Sequence, residues 1–513
     1  MKDLNNKIIN PIFFCLAPAI CFLITTYVVV TNYVLGNDDV AYIRLSYNLY
    51  SKFFFSLDAV SYNLIYPPVY PALLTMFRFF ISDYILITKL IIIIFSLLTL
   101  IVQYRFLKKL LSLNQQQSLC LNIMIFLIPA WMLYSIGWNE VISIPYSFLA
   151  WLGISYSYEY FQNENPRDVL ISSSLFSISY LIRPEGLGFL AILGLVIVYK
   201  IFKNIRVGKF APKDFSGIIK PIAFFIIPII VFVLSYIIFL KTQTGIWMIS
   251  MKSQAGLSHA IGTYLIDKNE WKIFLYLKVL LKNIETIPDI LSSFLFINPM
   301  YYLLILLGFV YQKKEQVMLI KKAFYPVIFF APILIFISIS QIYNTRFFIP
   351  IYPVLIILVL KGFENIIYFF RRINLPKGVP EIMMIVYLVS FTLVATKRPS
   401  YTGNILELNT IGSYLKDKSI KCDELFSSNP LLLNKIFIYL GHPDYFISDE
   451  QIKNFSIEGK KYAVIDVNYN QQMMPIGKLL EDEIRNFPVL SRVKPIKTFE
   501  NKIQGQLLLY KVL

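Results

Sequence analysis

The chain has 513 residues, of which 57% are hydrophobic, 16% aromatic and only 15% charged; ordinary soluble domains carry roughly 25% charge, so the repeated charge-free runs describe a polytopic membrane protein and exclude a soluble globular one. Its net charge of +17 does not call for nucleic acid, because membrane proteins gather Lys and Arg on cytoplasmic loops. Cys15, Cys21 and Cys120 lie in apolar segments and only Cys422 in a polar one, which suggests neither a disulfide framework nor a thiolate metal site.

Ile8 to Asn37 is uncharged over thirty residues. That is longer than a signal-peptide core, and no small-residue cleavage pattern follows, so it reads as a retained span. A span needs roughly 17–25 mostly apolar residues. Spans are predicted on that basis at 8–34, 85–104, 117–137, 140–160, 168–182, 187–201, 218–240, 290–311, 323–341, 347–361 and 381–397, eleven in all. In YPPVYPALLTMFRFF (Tyr66–Phe80), only about ten residues follow Pro71 before Ser82, too few to cross. This segment is predicted to be a juxtamembrane or re-entrant helix within one long outer loop, 36–89. A second long outer loop covers 241–289.

With the N-terminus inside, the cytoplasmic segments hold 20 Lys or Arg, whereas the outer turns at 138–140, 183–186 and 342–346 hold 0, 1 and 1. The positive-inside rule favours this orientation. It puts residues 398–513 outside the cell. There CDELFSSNP, PDYFIS, KYAVIDVNY and GQLLLYKVL read as short strands, alternating with helix-like NPLLLNKIFIYLG and PIGKLLEDEIRNF. The predicted architecture is therefore an all-α polytopic bundle over 1–397 and a small extracytoplasmic α/β domain over 398–513. No Gly-rich nucleotide fingerprint opens a helix there.

The first candidates for chemistry are Asp38 and Asp39, placed where the first span leaves the bilayer. They are either a solvated span end or the working end of an enzyme. The loop continues with Tyr42, Arg44, Asp58 and the Tyr66 turn, and polar groups clustered at a membrane cavity mouth default to function. On a helix, adjacent side chains point about 100° apart. One acid then serves as a general base while the other binds a metal or orients the loop. Glu140, beside Trp138, opens the fourth span at a similar depth, as an interfacial acid or a site carboxylate. In YLIRPEGLGFL, Arg183 and Glu185 either pair with each other or leave Arg183 to grip a phosphate bidentately. Lys89 and Arg346 occupy comparable outer edges. A lone cation there snorkels, but three at one face opposite acids suit an amphiphilic phosphate. His259 and His442 are the only histidines, and His259 is a metal ligand or a plain loop residue. No zincin, Walker or nucleophile-elbow motif is present.

The order of these motifs resembles the polytopic C-type (GT-C) glycosyltransferases, specifically the group of the protein O-mannosyltransferases and the lipid A aminoarabinose transferase. The acidic pair Asp38-Asp39, Tyr42, the PPVY run Pro67–Tyr70, Lys89, Glu140, the Arg183–Gly186 turn and the Arg346–Pro353 span follow the family's pattern. Three positions depart from it: Asp39 stands where Glu is commoner, Lys89 where Arg is, and no acid immediately precedes the double proline. The last bears on any metal site of the family's type; no cofactor is called for, and a divalent metal is left open. The resemblance implies inverting transfer of a hexosyl or pentosyl unit from a polyprenyl-monophosphate sugar. The acceptor is a hydroxyl of a lipid, glycan or protein at the outer face of the plasma or inner membrane. Asp38 is the implied base, with Asp39 second and Glu140 beside them. Tyr42, Tyr66, Lys89, Arg183, Glu185 and Arg346 are the implied substrate-binding residues. Other lipid-linked sugar chemistry, such as a polysaccharide polymerase or ligase, and a transporter or flippase are the alternatives. A transporter usually carries inverted repeats, and no repeat is apparent.

Overall fold

Apolar runs in lipid satisfy their backbone groups only as helix or closed barrel, and here they form helix. The computed structural model describes residues 2–32, 37–57, 65–127, 141–207, 215–250, 300–340, 352–373, 376, 379, 382–383, 385–386, 389–390, 405–427, 430–445, 460–466, 493–501 and 505–512. The bundle comprises α1 (Lys2–Asn32), α2 (Asn37–Lys52), α3 (Val69–Arg78), α4 (Tyr84–Leu111), α5 (Gln115–Leu127), α6 (Ser143–Asn163), α7 (Pro166–Tyr180) and α8 (Gly186–Arg206). It continues through α9 (Phe215–Pro228), a π-helical segment (Ile229–Leu234), α10 (Ser235–Thr244), α11 (Met300–Ser340) and α12 (Tyr352–Arg372). Among the described residues, four helical stretches are long and apolar enough to cross a membrane: Phe14–Thr31, Tyr84–Leu111, Gly186–Arg206 and Gly217–Thr244.

Local chemistry sets several boundaries. Asp83 caps α4 by accepting from the Ile85 and Leu86 amides at 2.8 and 3.3 Å, and Ser112 ends it in the left-handed conformation. α3 has ten residues and so rises about 15 Å, half of a hydrocarbon core about 30 Å thick. It does not cross, in agreement with the sequence. One expectation is corrected: the separate spans at 290–311 and 323–341 are joined, because α11 runs unbroken from Met300 to Ser340. The intervening QKKEQ carries no Gly or Pro and consists of good helix formers, so its charge marks no break in the helix.

The bundle core is aromatic. Phe106 of α4 lies 5.8 Å from Trp151 of α6, which lies 5.6 Å from Phe330 of α11, while Phe176 of α7 lies 5.2 Å from Phe189 of α8. Gly153 permits this packing, since a Cβ there would fall 2.4 Å from the Phe176 ring. One end of the bundle gathers ion pairs. Lys109 meets Glu159 there, Lys200 lies 3.0 Å from Glu164, and Lys361 lies 2.8 Å from Glu364. The other end carries the C-terminus of α1, the N-termini of α4, α6 and α8, and the two short helices α2 and α3.

Beyond the bundle lie α13 (Ile405–Asp417), β1 (Leu425–Ser427), α14 (Pro430–Tyr439), β2 (Tyr462–Asp466), β3 (Val493–Asn501) and β4 (Gly505–Val512). The strands form one sheet in the order β1-β2-β4-β3, with β1 and β2 parallel and the other pairs antiparallel. The described residues after 404 thus combine helices and strands, with one strand beyond those expected. VKPIKTFEN forms a strand that the sequence does not announce; PDYFIS turns at Pro443–Asp444, and its last three residues lie outside the described residues. Pro495 is tolerated because β3 is an edge strand and its register shifts there, the position where sheets accept Pro. PIGKLLEDEIRNF lies outside the described residues. Ile411, Leu415, Leu425, Leu433 and Ile436 form a small separate core that also buries Cys422. Burial, helped by Asp444 and Asp423, pushes the Cys422 thiol up to about 12. Maleimide at pH 8 is therefore expected to leave Cys422 unmodified until the protein is denatured; rapid native labelling followed by mass spectrometry would contradict this packing.

Candidate active site

The end of the bundle opposite the ion pairs is built around α2. Because α2 begins at Asn37, Asp38 and Asp39 occupy its first turn, where the helix macrodipole favours carboxylates. Their environments differ: Asp38 is intermediate in exposure and Asp39 is only 2% exposed. The Tyr66 hydroxyl donates to Asp38 Oδ1 at 3.3 Å. One turn on, the buried Tyr42 ring stands edge-on to Tyr66 at 5.0 Å and to Tyr70 at 5.1 Å. Burial raises the Tyr42 phenol well above its usual pKa; Asp38, Tyr66 and Asp39 add to the rise and Arg183 opposes it. Tyr42 is thus a neutral hydroxyl that experiences both Asp38 and Arg183, residues from distant parts of the chain.

α3 ties the acids to the RPEG turn. Its first amide, Val69, donates to the Leu181 carbonyl at 3.1 Å, and Thr75 Oγ1 lies 3.0 Å from Ser46 Oγ on α2. In the turn, Arg183 Nη1 donates to Ser143 Oγ at 2.7 Å and Nη2 to Glu185 Oε1 at 3.1 Å. The guanidinium also lies 5.6 Å from the Tyr146 ring. Burial works against its charge, but Glu185, Tyr146 and Tyr42 outweigh that and raise its pKa above the ordinary value. The internal pairing allowed by the sequence is therefore formed, and it places a permanent cation in the cluster.

Gly186 makes the turn geometrically feasible. A Cβ there would fall 2.4 Å from the Tyr180 backbone nitrogen and 2.7 Å from its Cα, neither of which can yield as a flexible side chain would. Gly186→Ala is expected to displace Arg183, destabilising the protein by about 1–3 kcal/mol through overpacking and reducing whatever activity the site has. A melting curve unchanged from wild type would contradict the close approach.

Lys89 stands near the start of α4 and donates to the Val30 carbonyl in the last turn of α1 at 3.2 Å; the structure uses it to join two helices, although an ammonium has three donors. Glu140, Arg346, His259 and Asp58 lie outside the described residues. His442 sits in the C-terminal domain, 3.8 Å from Asp444. Among the described residues, no three His, Cys, Asp or Glu side chains gather as a metal site. Sequence reasoning missed Ser143, which bonds Arg183, and Tyr146, whose ring lies beside it. The only signal for them was their spacing of three residues at the start of a span, which puts both on one helix face.

The comparisons with known proteins bear on the fold. No family model matches the sequence, and no curated protein matches it. Among solved structures, the crystal structure of ArnT from Cupriavidus metallidurans bound to undecaprenyl phosphate is similar at 10% identity with a TM-score of 0.54, over 98% of this chain and 97% of that one. The apo state of the same protein is similar at 12% identity with a TM-score of 0.55, over 96% of each chain. The likeness spans both the bundle and the region after it, and the chain has a polytopic GT-C fold.

Proposed function

We propose that this protein is an inverting glycosyltransferase that moves a sugar from a polyprenyl-monophosphate donor to an acceptor hydroxyl at the outer face of the membrane. The observation that carries the reading is the tie between the acids and the RPEG turn at one end of the bundle: Tyr66 bonds Asp38 and packs on Tyr42, and the Val69 amide of the same segment bonds the Leu181 carbonyl two residues before Arg183. A lipid-linked donor presents its phosphate at the membrane interface, so its catalyst needs charged groups at a helix end. The likeness in fold to ArnT, solved with undecaprenyl phosphate, supports the donor class. The N-terminus is assigned to the cytoplasm because Lys108, Lys109, Lys203 and Arg206 close helices at the opposite end, as the positive-inside rule favours.

In this mechanism Asp38 accepts the proton of the acceptor hydroxyl as its oxygen attacks the anomeric carbon. The bond from that carbon to the phosphate oxygen breaks on the opposite face, and polyprenyl monophosphate departs. The diester becomes a monoester and gains negative charge, which fixed cations stabilise best when aimed at it beforehand. Arg183, with Arg346 and Lys89, is assigned that role. Asp38 is chosen over Asp39 because a base must meet an incoming hydroxyl, and Asp39 is buried. Asp39 and Glu140 are assigned to support it, Tyr42 and Tyr66 to orient it, and Glu185 to hold Arg183. Tyr66→Phe removes one donor to the Asp38 carboxylate and is expected to lower kcat by about tenfold or more, the scale of a hydrogen bond to a charged group. Unchanged turnover would remove Tyr66 from the site.

The test of the function is transfer by the purified protein across a panel of polyprenyl-phosphate sugars, with the anomeric configuration of the product determined. Inverted product is expected from at least one donor. Retained configuration would sink the mechanism, and turnover only of pyrophosphate-linked donors would sink the donor class.

A further inference from the structure

α2 is held on two sides, and only one of them belongs to the site. At about 100° per residue, Asp38, Tyr42 and Ser46 lie on the side that faces Tyr66, Tyr70 and Thr75. Arg44 lies about 240° around from Asp38, on the back of the helix, with Asn48 one turn further along. Arg44 is buried, at 8% exposure. Its Nε donates to the Leu57 carbonyl at 3.0 Å, its Nη1 donates to the Pro443 carbonyl, 399 positions away, and its guanidinium lies 5.7 Å from the Tyr47 ring. Asn48 Nδ2 donates to the Ser56 carbonyl at 2.7 Å, so the same face also fastens the chain that leaves α2.

Pro443 belongs to the turn that follows α14, and α14 packs against both α2 and α4. Leu432, Leu433, Ile436 and Phe437 point into the small core of the C-terminal domain, whereas Ile438 is buried in the core of the bundle. Tyr439 touches both cores. α14 is thus a wedge shared by two hydrophobic cores, and Arg44 is the polar bolt beside it.

We propose that the C-terminal domain keeps the acid-bearing helix in its working position through Arg44, a positioning residue, with α14 as the apolar half of the same contact. The physical reason is that α2 is a sixteen-residue helix ending in loop, and a helix in a protein draws most of its stability from tertiary packing rather than from its own propensity. Its acids need fixed orientation, and a planar guanidinium can bond two carbonyls from different segments at once. Lysine, a single point donor, cannot reproduce that fork.

The inference rests on the proposed transferase reading for its catalytic consequence but not for its structural one, and the test separates them. Hydrogen exchange of the full-length protein is measured for wild type, Arg44→Ala, Arg44→Lys and Ile438→Ala, alongside kcat and donor KM. For Arg44→Ala, amides of 37–57 are expected to exchange about tenfold faster, the scale of a lost charge-assisted hydrogen bond, while α4, α6 and the β2–β4 pair exchange as in wild type. Ile438→Ala, on the other side of the seam, gives the same regional signature, and Arg44→Lys recovers part of it. The Arg44→Ala protein is expected to lose about tenfold in kcat with donor KM within about twofold, since an interaction that orients the base acts on turnover and not on uniform binding. Wild-type exchange in 37–57 for both Arg44→Ala and Ile438→Ala overturns the proposal, as does faster exchange with undiminished kcat. If wild type transfers no sugar, the transferase reading fails, and the exchange data alone decide the contact.

Discussion

Asp38→Asn is expected to lower sugar transfer by about 10²–10⁴-fold, the contribution of a positioned general base, with an unchanged melting temperature. The substitution is nearly isosteric and keeps an oxygen that accepts from the Tyr66 hydroxyl, now 3.3 Å from Oδ1. It removes the ability to take up a proton. Because Asp38 is only partly buried, neutralising it leaves no uncompensated charge in the core. Asp39→Asn is expected to show the reverse balance, since Asp39 is 2% exposed and its carboxylate acts on Tyr42 and Tyr70. Its loss disturbs packing more than chemistry. Purified Asp38→Asn protein that turns over at the wild-type rate would remove Asp38 as the base, whatever the fate of the rest of the mechanism.

Arg183→Ala is expected to fail twice, and the two failures can be separated. Arg183 and Glu185 pair at 3.1 Å with side chains only 12% and 11% exposed. Truncating one partner of such a pair strands the other, at a cost of about 3–5 kcal/mol. If Arg183 also binds the donor phosphate, affinity for polyprenyl phosphate falls by at least about tenfold, as when one member of a desolvated charge pair is lost. The double variant Arg183→Gln/Glu185→Gln removes both charges and is expected to regain most of the stability. Donor affinity is expected to stay low in it. If affinity returns with stability, Arg183 is a structural keystone of the turn and the phosphate site lies elsewhere at that rim.

Much of this architecture is legible along the chain because hydropathy is local. The helices α6 and α8 begin and end within about five residues of the predicted spans, α1, α4 and α12 overlap theirs but extend beyond them at one end, and α3 is short for the reason its sequence gives. The boundary misassigned within α11 has an equally local origin: charge in QKKEQ marks contact with water, and helix propensity ignores it. β3 was missed because Pro495 argues against a strand unless the strand is known to lie at an edge, and sheet order is not a local property. Within the site, Asp38, Asp39, Tyr42, Tyr66 and Arg183 were identifiable as polar interruptions at one end of apolar runs. Ser143 and Tyr146 were not, since nothing about a Ser and a Tyr in a span announces that an Arg forty residues later, counting from Ser143, bonds one and lies beside the other.

Composition and periodicity alone determined that the chain is a helical membrane bundle, and which charged residues stand at helix ends. The partner each charge would take was decided only by the tertiary fold. Lys89 and Arg183 look equivalent as outer-edge cations, yet one meets the Val30 carbonyl and the other enters a buried cluster with Glu185 and Tyr42. Arg44 gave no sign that its partner lay 399 positions away. The reason is physical: burial of apolar surface is a sum over one segment at a time, whereas a charge selects its partner by distance and desolvation, and those are set only when all the segments have packed.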